Sequence, residues 1–331
     1  MSLLSVRDLR VEFKTPDGIV KAVAGVSFEL KQGETLAIVG ESGSGKSVSN
    51  LAYMGLLPQS KTTITGSVIL ETEDGPVDLI GLAPEKLRAI RGKDIAMIFQ
   101  DPMSALHPYY TIGDQLIEAH QVHNDVDKKV SADRAIELLT LVGVSNPAER
   151  LHSYPHQFSG GMRQRVMIAM ALMNNPKVLI ADEPTTALDV TVQAQILRLL
   201  RDIQDQFEMA VILITHDLGV VAGAADRVNV MYGGRLVESA EVGELFKDPL
   251  MPYTVGLLDS IPRMDKGHGN RLKAIPGQPP SLITLGDGCA FAARCSRKAE
   301  LPEGTCETSP DLIAVKKEHL VRCHLYVGKG K

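Results

Sequence analysis

The apolar run TLAIV at 35–39 leads directly into GESGSGKS at 40–47, and then into SVSNLAYMGLL with the spacing of an apolar helix. No other stretch constrains the chain as strongly. Gly40, Gly43 and Gly45 let the backbone curl until successive N–H groups face one point, a concavity that suits an anion. A helix opening near Lys46 adds its positive end to the same place. A strand so largely apolar before such a turn belongs to an α/β architecture whose parallel sheet is covered on both faces. The spacing G-x-x-x-x-G-K-S is that of a phosphate loop. Lys46 is placed to reach β- and γ-phosphates and Ser47 to offer its hydroxyl to Mg²⁺, with Ser42 and Ser44 inside the loop.

A second apolar strand, in VLIADEP at 178–184, ends on two acids. Asp182 is the candidate to hold Mg²⁺ through water, and Glu183 the candidate to polarise an attacking water as general base. Adjacent acids at a strand end are often no more than a solvated helix cap. Beside a phosphate loop they read as the other half of a nucleoside triphosphatase. The order KVLIADE, VTVQAQILRLLRDIQDQF, AVILITH alternates strand, helix and strand, and so predicts parallel pairing. RVNVMYGGRLVES predicts a hairpin on a Gly-Gly turn, and residues 101–175 read as mostly helical.

Charge and hydropathy exclude other classes. The net charge is −5, where a dedicated nucleic-acid binder carries a basic excess. The longest apolar run, VMIAMALM at 166–173, has eight residues, far short of a membrane span. MSLLSVRDLRVEF lacks the layout of a secretory signal, so a cytosolic chain is expected.

HQFSGGMRQRVMIAMAL resembles the signature of ATP-binding cassette (ABC) proteins. Ser159, Gly160 and Gly161 match its centre, while Phe158 and Met162 stand where leucine and glutamine are commonest. The resemblance implies a RecA-like core with a β-subdomain and a helical subdomain, in a cassette over 1–248. It further implies that the signature faces the γ-phosphate of ATP bound to a partner cassette. Gln100 in IFQDP resembles the glutamine that senses Mg²⁺ and the attacking water. TALD at 186–189 resembles the loop that crosses the dimer interface through Asp189. His216 in ITHD resembles the histidine that contacts the γ-phosphate, and Phe13 stands where the family stacks an aromatic on adenine. A lone soluble cassette without coiled-coil insertions or fused membrane helices resembles an importer subunit more than a soluble cassette ATPase acting on nucleic acid.

Beyond residue 248 prolines and glycines multiply and periodicity fades, which predicts a small irregular domain over 249–331. MPYTVGLLDSIPRM, IPGQPPSL and GCAFAARC resemble the C-terminal extension of the peptide-importer ATPases, the oligopeptide and dipeptide permeases with their nickel and opine relatives. The resemblance implies a heterodimer with a second ABC ATPase, two transmembrane permease subunits and an extracytoplasmic peptide-binding protein. It places the chain at the cytoplasmic face of the inner membrane and implies no nucleic-acid partner.

All four cysteines lie in this tail, at Cys289, Cys295, Cys306 and Cys323, in a C-x5-C-x10-C-x16-C pattern. A reducing compartment argues against disulfides. Close C-x2–4-C pairs, the usual mark of structural zinc, are absent. Wide, unequal gaps in a loop-rich segment suit a four-iron, four-sulfur cluster somewhat better than Zn²⁺, and the resemblance points the same way. A short domain with few large apolar side chains gains from such a staple.

Overall fold

The computed structural model describes residues 2–186, 188–261 and 274–328. Of the stretches singled out in the sequence, TALD includes Ala187 and MPYTVGLLDSIPRM includes 262–264, which lie outside the described residues. The strands are β1 (Ser2–Thr15), β2 (Gly18–Lys31), β3 (Thr35–Val39), β4 (Thr62–Thr72), β5 (Gly75–Asp78), β6 (Ile95–Ile98), β7 (Val178–Asp182), β8 (Ala210–Thr215), β9 (Arg227–Tyr232), β10 (Arg235–Glu241), β11 (Ile313–Lys316) and β12 (His319–Val321). The chain divides into two compact units: 31–34 with 82–214, and 2–30 with 35–81 and 215–331.

In the second of these units, β2, β1, β4 and β5 form a sheet in that order. The β1–β4 register runs antiparallel from Leu4↔Leu70 to Phe13↔Thr62, with an irregularity between Arg7 and Arg10. A second set runs β11-β12-β10-β9-β3. Here β3 pairs parallel with β9, Leu36 opposite Arg227, whereas β9 and β10 form an antiparallel hairpin. The hairpin turns on Gly233 and Gly234 at φ 55° and 75°, the left-handed pair that lets a two-residue turn follow the strand twist. One core joins Ala37 and Val39 of β3 to Val228 and Val230 of β9, and to Tyr253, Phe291, Val321 and Cys323 of the tail. The prolines and glycines of the tail thus connect pieces that share the apolar core of β3. Within that core Glu238 and His319 are fully enclosed, with His319 Nε2 2.8 Å from Glu238 Oε1. Glu238 also accepts the N–H groups of Leu250 at 2.6 Å and Met251 at 3.1 Å.

The other unit holds β8, β7 and β6 in that order, all parallel. Val178 to Ala181 and Ala210 to Ile214 are buried throughout, as unbroken apolar strands require. The helix Val190–Phe207 occupies the span its periodicity predicts. Asp189 caps its start by accepting the N–H groups of Thr191 and Val192, and Glu208 closes it at φ 50°. Residues 101–175 form not one helical block but several helices, the longest being Ile112–Gln121, Lys128–Leu141 and Gly160–Ala171. Prolines at 102, 147 and 155 start short turns, and Gly143 at φ 75° ends the second long helix. Among the described residues no helix is long and apolar enough to cross a membrane.

Candidate nucleotide site

The phosphate loop follows the buried β3 and enters the helix Lys46–Tyr53. Gly40 adopts φ 154°, and a Cβ there would run into the carbonyl oxygen of Met231. Gly45, at φ 98°, would likewise meet the carbonyl of Ala22, whereas Gly43 at φ 78° faces open space. Two of the three glycines are therefore demanded by close backbone approach as well as by dihedral angle. Lys46 is buried, and its Nζ donates to Gly40 O at 2.7 Å and Glu41 O at 3.1 Å, which holds the ammonium inside the curl. The Ser44 hydroxyl is buried and has no hydrogen-bond partner among the described residues, the kind of orphaned polar atom that calls for an explanation. Ser47 follows Lys46 in the first turn of the helix, and Ser42 lies in the turn before it.

In the unit that carries β7, Asp182 ends the strand and is buried. Glu183, the next residue, has left the strand at φ 46°, a conformation uncommon for a residue with a side chain. Its backbone N–H donates to Ile214 O at 2.9 Å, which fixes the turn. Its Oε2 accepts from Gln100 Nε2 at 2.9 Å and from Thr186 Oγ1 at 2.9 Å. Strained backbone with an over-determined side chain is the pattern of a functional position. Gln100 and Glu183, 83 residues apart in sequence, are thus brought together. Thr186 was missed by sequence reasoning: nothing in EPTT marks the second threonine as the one that orients the acid.

Ser159 caps the helix Gly160–Ala171, its hydroxyl accepting the Met162 N–H at 3.4 Å. Ser159 and Gly160 are exposed, while Phe158 is buried beneath them, with the Arg150 guanidinium 5.4 Å from its ring centre. Phenylalanine in place of leucine therefore fills core and leaves the exposed serine and glycine unaltered. A Cβ on Gly161 would press on Val192 at 3.1 Å, so this glycine allows the close approach of the helix Val190–Phe207. Asp189 does the work of a helix cap, as above. In the other unit, His216 is exposed just after β8, between Thr215 and Asp217, and Asp217 caps the next helix. Phe13 is half-buried at the end of β1, opposite Thr62.

The four cysteines are all reduced. Cys289 donates its backbone N–H to Cys306 O at 3.0 Å, and Cys289, Cys295 and Cys323 all pack at the tail's part of the core. Burial pushes the thiols of Cys289 and Cys295 up, and Cys323 up to about 11, and the neighbouring cysteines act in the same direction. Among the described residues no three His, Cys, Asp or Glu side chains stand as a ready metal-ligand set. Four thiols in one segment are the donor chemistry that a sulfur-ligated group would need.

A model of the ABC transporter family matches residues 23–186, and one of the oligopeptide/dipeptide transporter C-terminal region matches residues 237–300. The oligopeptide transport ATP-binding protein OppD of Haemophilus influenzae is 49% identical over 327 residues, covering 99% of this chain and 98% of the relative. The dipeptide transport ATP-binding protein DppD of Bacillus subtilis is 51% identical over 324 residues, covering 98% and 94%. OppD of Mycobacterium tuberculosis is 53% identical over 323 residues, covering 97% of this chain but 51% of the relative. This chain thus spans about half the length of that relative and of its Mycobacterium bovis counterpart. Among solved structures, a dimeric ATP-binding cassette in a post-hydrolysis state bound to ADP and Pi aligns with a TM-score of 0.63. It is 27% identical and covers 72% of this chain and 98% of that one. The α/β cassette, its phosphate loop and its tail together make this chain a member of the ABC transporter family, on the branch of the oligopeptide and dipeptide transport ATP-binding proteins.

Proposed function

We propose that the chain is the ATP-hydrolysing subunit that powers peptide import through an ABC transporter. The observation that carries this reading is the grip of Gln100 and Thr186 on Glu183. A carboxylate fixed by two donors beside a buried aspartate is oriented to take a proton from one water. Gly40, Ser42, Gly43, Ser44, Gly45 and Lys46 cradle the phosphates of ATP, and Phe13 stacks on the adenine. Mg²⁺ is held by Ser47, Gln100 and, through water, Asp182. Glu183 is the general base, and His216 contacts the γ-phosphate. Ser159, Gly160, Gly161 and Asp189 face the nucleotide of a partner cassette. The exposure of Ser159 and Gly160 at one helix N-terminus and of Asp189 at another supports that role.

The partners are a second ABC ATPase, two membrane permease subunits and an external peptide-binding protein, with the chain on the cytoplasmic face of the membrane. Exposed Met103, Tyr109 and Tyr110, shortly after Gln100, supply apolar surface for such a partner. Residues 1–248 act as the cassette and 249–331 as an extension specific to peptide importers. Cys289, Cys295, Cys306 and Cys323 are the ligands of a four-iron, four-sulfur cluster, with Zn²⁺ the alternative occupant. Such a group would cross-link a loop-rich segment, and its place here is structural.

The transporter reconstituted in vesicles with its four partners tests the reading. ATP hydrolysis rises when a peptide-loaded binding protein is added, and Lys46→Ala abolishes both nucleotide binding and that response. Hydrolysis indifferent to peptide and to the membrane subunits would refute it. Iron, sulfide and zinc assayed per chain after anaerobic purification decide the occupant of the cysteines. About four irons with four sulfides mark the cluster, and one zinc marks the alternative.

A further inference from the structure

Two side chains of the tail, Tyr253 and Arg294, reach the phosphate loop. Arg294, next to Cys295, is almost wholly enclosed, its side chain 6% exposed. Its guanidinium meets the carboxylate of Glu41, the second residue of GESGSGKS, in a two-pronged pair: Nη1 to Oε2 at 2.6 Å and Nη2 to Oε1 at 3.0 Å. Nη1 also donates to Tyr232 Oη at 3.1 Å and Nε to Pro276 O at 2.9 Å. The rings of Tyr232 and Phe291 lie within 6 Å of the cation, close enough for the faces to favour its charge. Glu41 is held at its other groups as well. Its N–H donates to Tyr253 Oη at 2.8 Å, and its carbonyl accepts from Lys46 Nζ at 3.1 Å.

This arrangement answers an electrostatic difficulty. Glu41 is the one acid in a loop built to receive polyanionic phosphates, and an uncompensated carboxylate there repels them. The planar fork of arginine matches both carboxylate oxygens, cancels the charge and fixes its direction, which the point charge of lysine does not do.

We propose that Arg294 is a positioning residue for nucleotide binding: by pairing with Glu41 it neutralises the acid of the phosphate loop and holds the loop's shape, so that the cysteine-bearing tail sets the affinity of the loop for ATP. The inference rests on the ATP-binding reading given above.

Equilibrium titration of the full-length chain with a fluorescent ATP analogue and Mg²⁺ tests it, with thermal unfolding recorded in parallel. Arg294→Met is expected to weaken binding about tenfold, equivalent to about 1.4 kcal/mol. Adding Glu41→Gln to that variant removes the unpaired acid and returns affinity to within about threefold of wild type. A purely structural arginine would not give this recovery, because the double variant lacks the same cross-link. Should Arg294→Met fail to fold, Arg294→Lys carries the test, with an expected loss of about threefold that Glu41→Gln again restores. Two results overturn the proposal: Arg294→Met binding like wild type while Lys46→Ala has lost binding, or a double variant that binds no better than the single. Wild-type binding by Lys46→Ala would overturn the phosphate-loop reading itself, and the proposal with it.

Discussion

Glu183, the proposed general base, has an unusual backbone and a doubly held side chain. It leaves β7 in a left-handed conformation, and its carboxylate is shared between Gln100 and Thr186. Glu183→Gln keeps the shape and removes the basic oxygen. It should bind ATP normally and hydrolyse it at least ~100-fold more slowly, the scale of a lost general base, in a steady-state phosphate-release assay. Turnover near the wild-type rate would reassign the base. Thr186→Val, which deletes one donor and preserves volume, should slow hydrolysis by roughly fivefold with ATP affinity unchanged, as suits the loss of one orienting hydrogen bond to a charged group. Motif spacing singled out Gln100 and Glu183, and the fold brings these two side chains together. Thr186 was not legible in this way, because a threonine in a loop gains a role only when the turn folds it back on the acid. Arg294 was illegible for a related reason: 253 residues separate it from the carboxylate it pairs with.

Elements were legible where one physical signal decided them. The helix Val190–Phe207 announced its extent between two strands, and the β9–β10 hairpin its Gly-Gly turn. The stretch 101–175 announced helix but not its division, because prolines 102, 147 and 155 start new turns as readily as they break old ones. At the start of Val190–Phe207, Asp189 performs a capping role that any helix needs and stands in the stretch that resembles the interface loop. Two substitutions separate those roles. Asp189→Ala should destabilise the chain by about 1 kcal/mol in urea unfolding, the usual worth of an N-cap. Asp189→Asn caps nearly as well, so its unfolding midpoint should match wild type. A loss of ATPase activity in Asp189→Asn then reports the interface role alone, and full activity leaves the residue a cap.

At the scale of the molecule, the sequence suggested an irregular appendage, whereas the tail's Phe291, Val321 and Cys323 belong to the same core as Ala37 and Val39 beneath the phosphate loop. Local pattern could not reveal this, since the contacts join segments more than 200 residues apart. That shared core has a consequence at alkaline pH. Burial pushes the Cys323 thiol from its ordinary 9.0 up to about 11, and pushes the Tyr253 hydroxyl up as well. The folded chain then holds protons that the unfolded chain releases, so stability falls as pH rises. The thiol contribution is complete below pH 9 and is lost between about 9 and 11. For the chain treated with a chelator, so that its thiols are free, the urea midpoint should therefore decline across that window. Cys323→Ser, treated in the same way, should decline less, keeping the parts due to Tyr253, Cys289 and Cys295. Equal slopes in the two proteins would show that the Cys323 thiol is not protected by the core. If the cysteines hold the metal group proposed above, their thiolates have no proton to lose, and the decline of the loaded chain should be shallower than that of Cys323→Ser.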